Sequence, residues 1–144
     1  MEPERPGVKV LEPGYKQGEL LGEGAYGSVY KVTKSDGSVL ACKVIESEGF
    51  NIPRSVIVEM SSYRSVIGIN NVLQLDHVNI EPHQVEIFIP LMDNNLRSWR
   101  RENELLRRLN CFERFYSQII TAIGEMHHRG IVHLDIKPDN ILVK

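Results

Sequence analysis

The feature that most constrains this chain is an Asp36-Gly37 pair set between two runs of strand-forming residues, "YGSVYKVTK" and "VLACKVIE". Both runs are rich in β-branched and apolar residues, and an Asp-Gly pair tolerates positive φ at both central positions of a tight turn. The pair therefore predicts an antiparallel hairpin that reverses over "SDGS". A further run, "YKQGELLGEG", precedes it from Tyr15, and two more, "NVLQLDHV" and "VEIFIPLM", are joined by the turn-rich "NIEPHQ". Between these groups Pro53 is placed as the first residue of a helix over "RSVIVEMSSYRSVI", with Val56, Ile57, Met60 and Ile67 near one face. Five strands and one helix are expected, the first three strands antiparallel.

Residues 93–144 carry a different period. "NNLRSWRRENELLRRL" predicts a helix that buries Leu96, Trp99, Leu106 and Leu109. Phe112, Phe115, Tyr116, Ile119, Ile120, Ile123, Met126 and His127 repeat at helical spacing and predict a second one. Asn110 and Glu113 have the spacing of a capping box for it, and His127, His128 and Arg129 before Gly130 suit its negative end. Pro138 forbids helix beyond. The class is α+β.

Composition bounds the partners. The chain has 144 residues, enough for one domain with a core, and 17 basic against 19 acidic residues give a net charge of −2. Bulk electrostatics thus favour neither nucleic acid nor an anionic membrane. Cys42 and Cys111 stand far apart without CxxC spacing, which argues against a disulfide framework or a zinc site and for a reducing compartment. "MEPERPGVKV" lacks the basic start and apolar run of a signal peptide, and no stretch has the length of a membrane span. A cytoplasmic or nuclear location is expected, with residues 1–14 as a flexible leader.

Three stretches carry chemistry. In "GEGAYGSV", Gly22, Gly24 and Gly27 form GxGxxG, whose bare backbone lets N–H groups approach phosphate oxygens. Alone such a triplet is more often a flexible turn, and a dinucleotide-binding version needs a helix at its last glycine. Here "SVYKV" continues as strand, which disfavours that version. Lys43 in "ACKV" interrupts an apolar run one hairpin from the glycines. A cation in an apolar cleft needs a carboxylate partner, and Glu59 in the helix is the candidate. In "HLDIKPDNIL", Asp135 is placed to accept a hydroxyl proton, Lys137 to neutralise a transferring phosphate, and Asn140 to offer a carbonyl oxygen to Mg²⁺. The plain alternative is a polar turn between helix and strand.

In this order the stretches resemble the protein kinase family, in its serine/threonine form because Lys137 follows Asp135 by two residues. The resemblance covers Tyr15 to Lys144. It implies a small lobe with a five-stranded sheet and one helix over residues 15–92, then the first helices of a large lobe over 93–144. It implies ATP and Mg²⁺ as cofactors and a protein substrate or a kinase partner, with no nucleic acid and no membrane. Leu21, Gly22, Glu23, Gly24, Ala25, Tyr26, Gly27, Val29, Ala41 and Lys43 would contact ATP, with Pro90 and Met92 offering backbone groups to the adenine edge. Pro90 lacks an N–H but keeps its carbonyl. Glu59 would pair Lys43; Asp135, Lys137 and Asn140 would be catalytic, with Asn140 also on the metal.

Two departures stand out. Leu134 replaces the arginine that commonly precedes the catalytic aspartate, which puts control by a phosphorylated activation segment in doubt. The sequence also stops at Lys144, before an Asp-Phe-Gly motif, so the reading expects a chain truncated after its catalytic loop. Such a chain is expected to be nearly inactive alone, with the Phe112–Met126 face uncovered and "NILV" lacking a strand to pair with. The alternative function is a non-catalytic homologue that binds or inhibits a full-length kinase.

Overall fold

The computed structural model describes residues 9–25 and 27–144. These form two compact units, residues 9–62 with 74–91 and residues 63–73 with 92–144. The boundary expected at 92/93 thus falls at 91/92, and residues 63–73 group with the second unit.

The first unit is built on β1 (Tyr15–Gly24), β2 (Gly27–Lys34), β3 (Val39–Glu46), β4 (His77–Glu81) and β5 (Gln84–Pro90), with α1 (Arg54–Ser65) between β3 and β4. The strands form one antiparallel sheet in the order β1-β2-β3-β5-β4. The β2–β3 hairpin is where the Asp-Gly pair predicts it, but only Gly37 takes positive φ, at +84°. Lys34 O accepts from Gly37 N and Lys34 N donates to Ser38 O, so the reversal is a turn followed by a left-handed glycine. The Asp36 carboxylate, accepting from Ser38 N at 2.8 Å and Ser38 Oγ at 2.6 Å, holds the aspartate in its ordinary conformation.

β4 departs from expectation. Residues 71–76 are not strand, and pairing begins at His77 and runs through Glu81. The reversal is carried by Pro82 and His83, the latter at φ +76°. Proline presets its own φ, so the chain turns there rather than across the whole of "NIEPHQ".

Because the strand period is two, directly opposed residues share a face. Tyr30, Val32, Leu40, Cys42, Val44 and Phe88 pack with Val10 on one face. Val10 is buried there, while Leu11 N and Glu12 N donate to the Glu86 carboxylate at 2.5 and 3.0 Å. The expected flexible leader over 1–14 is therefore corrected at residues 9–12, which are strapped to the sheet; residues 1–8 lie outside the described residues. Glu86 is fully buried, and its charge is tolerated because Asn79 Nδ2 and Gln84 Nε2 add donors at 3.0 and 2.6 Å.

α1 starts at Arg54, with Pro53 supplying the carbonyl that accepts from Val56 N and Ile57 N. Of its predicted face Val56 is buried, but Ile57 and Ile67 are exposed. Ser61 and Ser62 remain within the helix by turning their hydroxyls onto Ile57 O and Val58 O.

The second unit holds α2 (Leu96–Glu102), α3 (Leu105–His128) and a small sheet of β6 (Asn94–Asn95) and β7 (Leu142–Val143). The single helix expected over 94–109 is divided. Asn103 and Glu104 are extended, and Asn103 Nδ2 donates to Trp99 O at 2.6 Å, closing α2. α3 then runs through Asn110, so the predicted capping box is interior helix. The Asn95 side chain is a cap, accepting from Ser98 N at 2.9 Å. β7 is the strand expected to lack a partner; it pairs β6 instead, reinforced by Leu96 N to Ile141 O at 2.7 Å. α3 ends as predicted at Gly130, φ +75°, where Ile131 N donates to Met126 O. Val66, Ile69 and Met126 form the core of this unit, with Val72 and Ile131 against it.

Candidate active site

In the first unit the glycine-bearing strands close into a hairpin: Gly22 opposes Val29, and Gly24 opposes Gly27 across Ala25 and Tyr26. Tyr26 lies outside the described residues. Gly27 has φ +113°, and a Cβ there would run into the Val44 carbonyl, so no other residue fits. At Gly22 and Gly24 a Cβ would meet nothing, so their side of the hairpin is open. Leu21 and Ala25 are exposed, and the Glu23 carboxylate receives a long bond from Ser28 Oγ at 3.5 Å.

Register carries this arrangement to β3 and β5. Val29 opposes Lys43, Lys43 opposes Ile87, and Ala41 opposes Ile89. Val29 and Lys43 therefore share a sheet face, and Ala41, two residues from Lys43, shares it too. Lys43 Nζ meets Glu59 Oε2 at 2.7 Å, with both side chains about three-quarters buried. A largely hidden ammonium held by one carboxylate is fixed in place, yet keeps further N–H groups for a second anion. Pro90 ends β5 opposite Leu40, while Met92 belongs to the second unit.

The second unit holds the other set. Asp135 Oδ2 is 3.1 Å from Lys137 Nζ and 2.9 Å from Asn140 Nδ2, which also donates to Asp135 O at 2.9 Å. Asp135 N in turn donates to His133 Nδ1 at 3.2 Å. Lys137 first, then Asn140, hold the Asp135 carboxyl below the usual carboxylate value. The group is thus an anion at neutral pH, with an adjacent cation and an amide. With its nitrogen turned to Asp135, Asn140 has its carbonyl oxygen left for a hard cation. One such oxygen suits Mg²⁺, which keeps waters and shares few protein ligands with phosphates. No cluster of three His, Cys, Asp or Glu residues able to hold a metal occurs among the described residues.

Two features of this turn are not legible in the motif. Leu134 stands at φ +64° and is 90% exposed, an uncommon conformation for a branched residue. Arg97 of α2 forms a two-pronged ion pair with Asp139, Nε to Oδ1 at 2.7 Å and Nη2 to Oδ2 at 2.9 Å. The partners are 42 residues apart, so no local pattern announces the pair. With the β6–β7 ladder, it ties the Asp135 turn to α2.

Residues 15–144 match the protein kinase domain model. The chain is 34% identical over 134 residues to a cyclin-dependent kinase 2 homolog of Crithidia fasciculata, covering 90% of this chain and 28% of that protein. It is 30% identical over 135 residues to the CTD kinase subunit alpha of Schizosaccharomyces pombe, covering 92% of this chain and 23% of that protein. The chain thus spans about a quarter of the length of these relatives.

Proposed function

The chain belongs to the protein kinase family, and from that premise we propose that it acts in transfer of the γ-phosphate of ATP to serine or threonine hydroxyls of a protein. The observation that carries the reading is the Asp135 carboxylate held by both Lys137 and Asn140. An ionised, oriented carboxylate accepts the hydroxyl proton, the Lys137 ammonium neutralises charge on the transferring group, and the Asn140 oxygen is offered to Mg²⁺. When bound, Mg²⁺ supplies neutralisation of phosphate charge.

In the first unit Lys43, held by Glu59, is assigned to the nucleotide phosphates, with backbone N–H groups of the Gly22–Gly27 hairpin. Val29 and Ala41 are assigned to the adenine ring, and Pro90 and Met92 to its edge. The test is incubation with Mg-ATP and a general protein substrate, beside Lys43→Met and Asp135→Asn. Turnover by the 144-residue chain alone is expected to be low, and what there is, to fall by roughly a hundredfold or more in both variants. Equal turnover in all three, or no Mg-ATP binding by the unaltered chain in calorimetry, would overturn the reading.

The exposed face of α3 favours a second reading, a non-catalytic partner or inhibitor of a full-length kinase. Leu109, Phe112, Tyr116 and Ile120 are each at least half exposed along it. A chain that stays monodisperse and monomeric in size-exclusion chromatography, alone and with a full-length kinase, counts against this second reading.

A further inference from the structure

The break between α2 and α3 creates a basic cavity. Arg97, Arg100, Arg101 and Arg108 line it, together with Glu104 and Leu105, around a volume of about 560 Å³. Four guanidiniums stand against Glu104 and the Asp139 that pairs Arg97, so two positive charges are left over. Arg100, Arg101 and Arg108 have no carboxylate partner among the described residues. Arg108 Nε is hidden from solvent and has no hydrogen-bond acceptor among the described residues, which is unusual for a charged donor. The first turn of the 24-residue α3 adds backbone N–H groups, since Glu104 makes no side-chain cap.

We propose that this cavity is a binding site for a phosphorylated peptide segment. A phosphate monoester brings close to two negative charges and three acceptor oxygens, which match the two uncompensated charges; a carboxylate offers one charge and two oxygens. Apolar surface at the rim favours a peptide over a free anion or a nucleic acid. Leu105 lines the cavity and is 61% exposed, and Pro138 lines it as well. Apolar side chains in the wall of a phosphate pocket suit a phosphorylated residue with apolar neighbours. The site stands whether or not the chain transfers phosphate, because it uses neither Lys43 nor Asp135.

The test is fluorescence anisotropy of the full 144-residue chain with a short labelled peptide bearing one phosphoserine between leucines. Its unphosphorylated form, inorganic phosphate and single-stranded RNA are the other arms. Arg100→Gln with Arg101→Gln, both exposed, is expected to weaken the phosphopeptide roughly tenfold or more, and Arg108→Gln likewise. Arg107→Gln, exposed and outside the cavity lining, is expected to leave it unchanged. Circular dichroism checks the fold, and the exposed double variant decides the matter if Arg108→Gln unfolds. Equal binding of the unphosphorylated peptide, or equal weakening by Arg107→Gln, overturns the site. Competition by inorganic phosphate at the peptide's own concentration, or tighter binding of RNA, overturns the peptide as its occupant.

Discussion

Asp135 shows how one residue's surroundings set its chemistry. Its folded-state pKa lies below the ordinary 3.8 because Lys137 and Asn140 stabilise the anion. The sign follows: ionisation favours the folded turn above the unfolded value, and that contribution is lost as pH falls through the lowered folded value. Carbon-13 NMR of the Asp135 carboxyl is expected to give a midpoint below 3.8, moving upward in Lys137→Met. An unmoved midpoint would show that the ammonium does not act on it. Cys42 runs the other way, its thiol pushed up to about 12, first by burial and then by the Glu86 charge. In the native chain iodoacetamide is expected to spare Cys42 and to reach Cys111, which is only partly buried, as peptide mass spectrometry can read. Both cysteines and Asp135 are plain in the letters. What shifts them, apart from the near neighbours Lys137 and Asn140, is not.

At the scale of elements, the glycine hairpin and the α2 cap carry the sharpest predictions. Gly27→Ala meets both a positive φ and the Val44 carbonyl, so it is expected to destabilise the first unit by well over ~1 kcal/mol. Gly24→Ala, in open space and without positive φ, should cost less. Thermal unfolding of the pair measures the difference, and equal losses would contradict the steric account. Asn95→Ala removes the bond to Ser98 N and is expected to cost about 1 kcal/mol in the same measurement. Strand limits β1 and β3 were legible because alternation and turn residues are local. The end of the helix over 94–109 was not, because Arg100, Arg101, Glu102 and Glu104 are helix formers and Leu96, Trp99, Leu106 and Leu109 keep helical spacing across Asn103. A side-chain bond to Trp99 O, rather than propensity, breaks it.

For the whole molecule, the decisive surface is the α3 face. Leu109, Phe112, Tyr116 and Ile120 would bury if a partner covered them, and scattered polar residues do not interrupt the stripe. Sedimentation velocity is expected to show association that rises with protein concentration and falls in Leu109→Glu with Phe112→Glu. Concentration-independent monomer for the unaltered chain would show that the stripe does not drive contact. No helix among the described residues is long and apolar enough to cross a membrane. Leu109, Phe112, Tyr116 and Ile120 recur three and four residues apart, so the stripe runs along one side of α3.

The letters alone determined the family, the five-stranded antiparallel sheet, and the order in which the Gly22–Gly27 hairpin, Lys43 and Asp135 occur, because period, turn residues and motif spacing are properties of neighbours in the chain. Tertiary structure decided that Glu59, a candidate in the letters, does meet Lys43, that Leu11 and Glu12 reach across the chain to Glu86, that β7 finds β6, and that Arg97 reaches across 42 residues to Asp139. Each of these joins groups distant in sequence, and such contacts depend on how elements pack once formed.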